Sequence, residues 1–276
     1  MTWHARLELD YAMRQGRSIA QFRHEGPLRI LQSLYPQGDA ICHNVLVHPP
    51  GGLVGGDTLD IRVRVATAAH GLITTPGATR FYRSLGETAL QNTQITLEPG
   101  ARLEWLPMES LCYSGCLAEN RLCMSLGAQA ELLGWDVTAL GLPQASQPFV
   151  DGQFRQHIEL SDVWLERATL RANDDQLMNS AMALASQRCI ASVFLLCGSA
   201  MQRQRREHLL ELARDIASQH GLAASAGATS PNDRVVVLRA LAPLVEPAMD
   251  LLKRVWRAWR QGAWQLDAPA PRIWST

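Results

Sequence analysis

Apolar and polar residues alternate along much of the chain. Trp3, Ala5, Leu7, Leu9 and Tyr11 alternate with His4, Arg6, Glu8 and Asp10, and Leu59, Ile61, Val63 and Val65 with Asp60, Arg62 and Arg64. Strand side chains point to opposite faces at every second residue, so each run predicts a half-buried strand. Further strands are predicted over 18–24, 59–66, 71–75, 88–97, 101–106, 121–126, 131–137, 154–160, 163–170, 190–197 and 234–240. Pro76-Gly77 and Pro99-Gly100 suit type II turns between them. Short strands at this spacing predict a mainly β fold, a sandwich or open stack of sheets, rather than alternating β-α units. Two helices are predicted near the C-terminus. One spans 203–220, carries Leu209, Leu210, Leu212, Ala213 and Ile216, and stops at Gly221; the other spans 247–264 and carries Leu251, Leu252, Val255, Trp256 and Trp259. Covering a sheet is the ordinary use of such faces. The sharper reading makes Leu251, Val255, Trp256 and Trp259 a surface that docks a partner protein. Residues 223–232 are small and polar and read as a loop. No low-complexity linker divides the chain, so one domain is expected, strand-rich over 1–200 and helix-containing over 201–276.

Composition narrows the partners more than the fold. Acidic and basic residues balance at 26 each among 276, which excludes a global field for nucleic acid or an anionic membrane. Lys253 is the only lysine. The opening residues are strand-like and charged rather than a leader, and no apolar run approaches the ~18 residues of a membrane span. Cys42, Cys112, Cys116, Cys123, Cys189 and Cys197 follow no disulfide or zinc spacing, so reduced thiols and a cytoplasmic setting are expected.

The densest local signal is His48-Pro49-Pro50-Gly51-Gly52-Leu53-Val54-Gly55-Gly56-Asp57. The prolines exclude helix and central strand, and the glycines permit left-handed backbone and close approach. A phosphate cradle is one reading, which would make the chain a nucleotide- or phosphate-binding enzyme using 51–57. The reading lacks the lysine or serine and the helix N-terminus such cradles use. No Gly-x-Ser-x-Gly elbow or helical His pair marks a catalytic or metal centre. Cys112, Cys116 and Cys123 are better read as buried apolar side chains than as thiolate ligands. What remains is a set of acids beside apolar strand residues: Asp57, Glu104, Asp136 and Glu166. Singly, each is expected to be solvated or arginine-paired; together, hard oxygen ligands would bind a divalent ion weakly and transiently.

The block from His48 to Asp57, with Thr75-Pro-Gly-Ala-Thr79-Arg80-Phe-Tyr82-Arg83-Ser84, closely resembles the signature blocks of the urease accessory protein D family (UreD, or UreH). Leu103-Glu-Trp105-Leu-Pro107, Trp135-Asp136, the Gly26-Pro27-Leu28 segment and the ending Pro271-Arg-Ile-Trp-Ser-Thr276 are similar to the same family, in the same order. The resemblance implies a mostly β, non-catalytic scaffold for nickel delivery. It would bind the urease apoprotein on one side and accessory protein F on the other, reaching the nickel-carrying GTPase G through F. No tightly bound cofactor is implied, only nickel in transit along an internal passage, for which Asp57, Thr79, Asp136 and Glu166 are the matching polar positions. The C-terminal helical face is the expected site for F. Gly141-Leu142-Pro143 and Gln147-Pro148-Phe149 depart from the family pattern, in which an arginine and an acid are common there. Arg80 stands where lysine is common and Met108 where glutamine is common.

Overall fold

A computed structural model describes residues 2–275; Met1 and Thr276, at the ends of the opening run and the closing block, lie outside them. Each alternating run becomes a strand, and the two periodic segments become helices. In chain order the strands are β1 (His4–Arg14), β2 (Arg17–Glu25), β3 (Arg29–Leu34), β4 (Cys42–Val47), β5 (Thr58–Val65) and β6 (His70–Thr74). Then come β7 (Thr79–Phe81), β8 (Ala89–Leu97), β9 (Arg102–Leu106), β10 (Ser110–Cys112), β11 (Cys116–Leu126) and β12 (Glu131–Leu142). The last are β13 (Gln147–Pro148), β14 (Gly152–Leu160), β15 (Trp164–Arg171), β16 (Cys189–Cys197), β17 (Ala226–Asn232) and β18 (Val235–Ala242). The helices are α1 (Asp175–Asn179), α2 (Arg203–Ser218) and α3 (Val245–Trp264).

The strands form two sheets. The first runs β15-β14-β11-β8-β5-β1-β2, and the second β17-β18-β16-β12-β9-β6-β4-β3, with β7, β10 and β13 attached at its side. The inner neighbours β1/β5, β5/β8, β8/β11 and β11/β14 are parallel, as are β4/β6, β6/β9 and β9/β12. Parallel neighbours cannot be joined by a tight hairpin and need a crossover, usually helical. Here the crossover from β5 to β8 is made by β6 and β7, that from β8 to β11 by β9 and β10, and that from β11 to β14 by β12 and β13. The chain therefore winds from sheet to sheet in stacked coils. Antiparallel hairpins close the ends: β1/β2 and β14/β15 in the first sheet, β3/β4 and β17/β18 in the second.

The first sheet buries one face, which is why its strands alternate so clearly. Leu7, Leu9, Ile61, Val63, Ile95, Leu122 and Phe154 pack between the sheets against Leu103, Trp105, Leu132 and Phe194. The second sheet is buried on both faces, because α2 and α3 cover its outer side. Its β12 and β16 accordingly read as near-continuous apolar runs, as expected when both faces are covered. Along α3, Leu251, Leu252, Val255, Trp256 and Trp259 form one fully buried stripe. Burying side chains of this size contributes roughly 2 kcal/mol each.

Two expectations change. Residues 226–232 form the edge strand β17 after a short 3₁₀ turn, not a loop; small polar residues and a proline are tolerated where one side of a strand is unpaired. Strands β3, β4, β7, β10 and β13 and the single-turn helix α1 were not predicted.

Candidate functional site

The glycine block is a loop folded back on its own chain. Leu53 donates its amide to the Arg80 carbonyl at 2.7 Å and accepts from the Tyr82 amide at 2.8 Å, so the block pairs briefly beside β7. A Cβ on Gly52 would meet the Arg80 carbonyl oxygen at 2.9 Å and the Tyr82 ring, so the backbones approach only because glycine stands there. The amides of Gly51, Leu53, Val54, Gly56 and Asp57 all donate within the protein. A phosphate cradle needs such groups to converge on a ligand; these are turned inward instead.

Asp57 ends the loop, buried, and each of its oxygens accepts a backbone amide: Trp3 at 2.8 Å and Val54 at 2.9 Å. The carboxylate thus ties the glycine loop to the chain segment entering β1. It lines none of the cavities described below. Burial pushes the neighbouring His48 imidazole down, against the pull of Asp57, so His48 is neutral at pH 7.

Asp136 has different surroundings. It follows Trp135 on β12; Trp135 turns outward to Trp256 and Trp274, which sends Asp136 to the opposite face, between the sheets. Its donors are side chains. Asn120 of β11 donates at 3.0 Å, Gln156 of β14 donates to the other oxygen, and Thr138 is within 3.4 Å. Asn120 and Gln156 are register partners on adjacent strands, so one carboxylate caps a pair of amides across the sheet-to-sheet gap. Burial pushes the Asp136 carboxyl up to about 6; the three hydrogen bonds lower it and Glu166 raises it further. Glu166 on β15 is ion-paired with Arg239 of β18 and remains partly exposed.

Three cavities run past these residues. The first, about 260 Å³, is lined by His48, Gly51, Thr75, Thr79, Arg80 and Gln91 among others. The second is small, about 20 Å³, and is lined by Thr79, Gln91, Thr93, Trp105, Asn120 and Asp136 with Pro107 at its wall. The third, about 230 Å³, is lined by Asp136, Gln156, Glu166, Ser192 and Arg239. The first two share Thr79 and Gln91, and the last two share Asp136. The middle space holds on the order of one water-sized guest. The hydroxyl of Thr93, which lines it, is buried without a hydrogen-bond partner, and a buried orphan of this kind is uncommon. Hydroxyl, amide and carboxylate oxygens suit hard divalent cations and hold them less firmly than nitrogen or sulfur.

The sequence-predicted positions therefore separate. Thr79, Asp136 and Glu166 line neighbouring cavities that share wall residues; Asp57 sits in a backbone clamp. His48, Gly51 and Arg80 line the first cavity. Trp105 and Pro107 wall the second, where the Pro107 carbonyl accepts the Trp135 indole N–H at 2.6 Å. Tyr82 packs on Tyr113 at 5.0 Å, and Arg83 lies beneath Gly115. Pro49 and Pro50 form the turn that opens the loop. Gln91, Asn120 and Gln156 were not singled out in the sequence. Their signal was phase: Asn120 stands between Ala118 and Leu122, and Gln156 between Phe154 and Ile158, at the core-facing positions of their strands.

The C-terminal residues expected to dock a partner are occupied within the chain. Leu251, Val255, Trp256 and Trp259 are fully buried against the second sheet and α2, so they do not form a free surface. Trp256 donates to Glu104 at 2.7 Å and Trp259 to the Leu209 carbonyl at 2.7 Å. Glu104 also meets His70 at 3.1 Å and Arg260 at 3.2 Å, with none of these side chains more than slightly exposed. Burial alone would raise its carboxyl, but His70 and Arg260 outweigh burial and hold it below its ordinary value.

Comparison with known proteins agrees with the motif blocks. The family model described as UreD urease accessory protein matches residues 4–275. The chain is 63% identical over 275 residues to the urease accessory protein UreD of Polaromonas naphthalenivorans (strain CJ2), covering all of both chains. It is 64% identical over 276 residues to that of Variovorax paradoxus (strain S110), and 45% identical over 297 to that of Methylibium petroleiphilum, again covering all of each chain. With the family model spanning nearly every residue and full-length relatives at this identity, the chain belongs to the UreD urease accessory protein family.

Proposed function

We propose that the protein serves urease maturation as a non-catalytic scaffold through which nickel passes to the urease apoprotein. The observation that carries the reading is a succession of three cavities in which each shares wall residues with the next: Thr79 and Gln91, then Asp136. The family's name supplies the urease context. In this reading nickel enters or leaves by the mouths at Arg80 and at Glu166, and the narrow middle admits one ion at a time. Thr79, the Gln91 and Asn120 amides and Asp136 replace part of its water shell with oxygen atoms. Such ligands release the ion again, which a conduit requires and a cysteine or histidine cage would prevent. Asp57 shapes the loop beside the first cavity rather than touching the ion. The partners follow the resemblance: urease apoprotein, accessory protein F, and through F the GTPase G, in the cytoplasm. Among the described residues no helix is long and apolar enough to cross a membrane.

The test is co-expression of urease and its accessory proteins with the Asp136→Ala and Asp136→Ala/Glu166→Ala variants. Nickel per urease active site should fall while the variants still co-purify with their partners. Unchanged nickel loading in the double variant would refute the passage.

A further inference from the structure

Outside these cavities, one cluster of metal-ligating side chains stands among the described residues. In the parallel pair β11/β14, Cys123 lies opposite Glu159 and Arg121 opposite His157. On both strands the flanking residues, Leu122, Met124, Ile158 and Leu160, point into the core, so Cys123, His157 and Glu159 stand together on the outer face of the first sheet. A sulfur, an imidazole nitrogen and a carboxylate oxygen from these three lie within 4.8 Å of one another. His157 Nε2 and Glu159 Oε2 are 2.7 Å apart. The face is rich in arginine, yet Arg121 and Arg155 are both drawn to Glu119, at 2.6 and 3.8 Å. Glu159 is thereby left with the imidazole as its ion-pair partner among the described residues.

We propose that Cys123, His157 and Glu159 form a metal site for one divalent ion of the Zn²⁺ or Ni²⁺ class, separate from the interior passage. The donor set decides the chemistry. A thiolate and an imidazole select borderline metals over Mg²⁺ or Ca²⁺, and three protein ligands leave a fourth position for water or a partner's side chain. Thiolate and carboxylate together neutralise a divalent charge, so no further acid is needed. Cys123 enters as the thiol, since burial and then Glu159 push its pKa up and Arg121 lowers it; on binding, its proton is released to solvent and the sulfur–metal bond replaces the S–H bond. The contact between His157 Nε2 and Glu159 Oε2 opens to admit the ion: the imidazole binds through the lone pair of Nε2 with its one proton on Nδ1, and the carboxylate binds through Oε2. Only side chains that already face one another need to move, and no backbone hydrogen bond of the sheet is broken. The location distinguishes this site from the passage: Gln156 is the neighbour of His157 in sequence but points to the opposite face, toward Asp136.

The full-length reduced chain is titrated with Co²⁺ as a spectroscopic stand-in and then with Zn²⁺ and Ni²⁺. Wild type should show a thiolate-to-cobalt charge-transfer band saturating at one equivalent, which Zn²⁺ bleaches. Loss of an outer-sphere partner already costs about 10–100-fold in metal affinity, so removal of a ligand in Cys123→Ser, His157→Gln or Glu159→Gln should weaken binding by at least about a hundredfold. Zn²⁺ should raise the melting temperature of wild type and of Asp136→Asn but not of the three ligand variants, because a ligand that binds the native state stabilises it. The band should persist in Asp136→Asn. No charge-transfer band in wild type overturns the proposal, as does an unchanged affinity in Cys123→Ser and His157→Gln. Loss of the band in Asp136→Asn would make thiolate binding depend on the interior carboxylate and equally overturn a separate site. The three ligand variants are on the solvent side of a sheet, and the unliganded melting temperatures of all four variants report whether each has folded.

Discussion

Asp136 should cost the fold stability in the pH range where it would act, and the cost can be worked out. Its carboxyl is pushed up from an ordinary 3.8 to about 6, first by burial. A raised acid pKa means the folded state holds the proton more tightly than the unfolded chain. The group therefore contributes most below about pH 3.8, loses that contribution as pH rises toward 6, and is a constant penalty above. Two pKa units at 1.36 kcal/mol each make the full penalty roughly 3 kcal/mol. Asparagine cannot ionise, so Asp136→Asn removes the pH-dependent part. Whatever offset the new amide introduces against Asn120 and Gln156 is the same at every pH. The assay is urea unfolding of both proteins from about pH 4.5 to about pH 7.5, over which the stability of the variant relative to wild type should rise by about 2 kcal/mol. A difference that stays flat, or that falls with pH, would mean the carboxylate is not held in a desolvated site. The cavity reading of its surroundings would fail with it.

Two further outcomes follow from the buried acids that do not line the passage. Glu104→Gln leaves Arg260 buried without its carboxylate, which typically costs about 3–5 kcal/mol; its remaining acceptors, Gln37 and the Asp267 carbonyl, put this case near the lower end. Urea melts should show that loss, and replacing both members with apolar residues (Glu104→Leu/Arg260→Met) should recover much of it; a Glu104→Gln variant within about 0.5 kcal/mol of wild type would contradict the buried-pair account. Because the Glu104 carboxyl is held low, its stabilisation is present above its unfolded pKa of 4.5 and is lost as pH falls below it, a limb that Glu104→Gln should lack. Asp57→Ala strips the acceptors from two backbone amides and should cost about 2 kcal/mol by urea melts. Nickel per urease should be unchanged once the amounts of assembled complex are matched; a selective loss of nickel would put Asp57 back on the path.

Which face of each strand is buried was readable, because burial of one face leaves a period of two. Which strands become neighbours was not. Alternation along β5 and β8 states only that both have an inner face, and nothing local says that they lie side by side in parallel after a detour through β6 and β7. The strands of the second sheet lost even the alternation, since α3 covers what would have been a wet face; β12 continues to Leu142 rather than ending near 137 because the short strands β10 and β13 pair with its last residues. The acids show the same limit. Asp57 and Asp136 both read as carboxylates beside apolar strand residues. They differ by what the fold brings to them: an amide of Trp3, 54 positions away, closes on Asp57, whereas side-chain amides of two neighbouring strands reach Asp136. The tryptophans of α3 invited a docking surface because such residues anchor interfaces, and the same qualities make them anchors for the chain's own sheet.

The two proposed metal positions differ in what an arriving ion must displace. At Asp136 both carboxylate oxygens already accept from Asn120, Gln156 and Thr138, so a cation gains charge neutralisation but must share or break those bonds. The donors satisfy the site when it is empty, and that lowers the affinity of anything passing through. A middle cavity of about 20 Å³ adds to this, since it forces an ion to shed water it can only partly replace. At Cys123 the opposing terms are small. His157 and Glu159 have each other, the thiol is protonated, and solvent is at hand to take the proton. On the two proposals, the interior exchanges an ion and the outer face holds one. A scaffold that must hand over an ion needs the first property inside, and a strong thiolate site is compatible with that task only where it is separated from the route. The first sheet provides that separation, with Gln156 and His157 pointing to opposite sides of one strand.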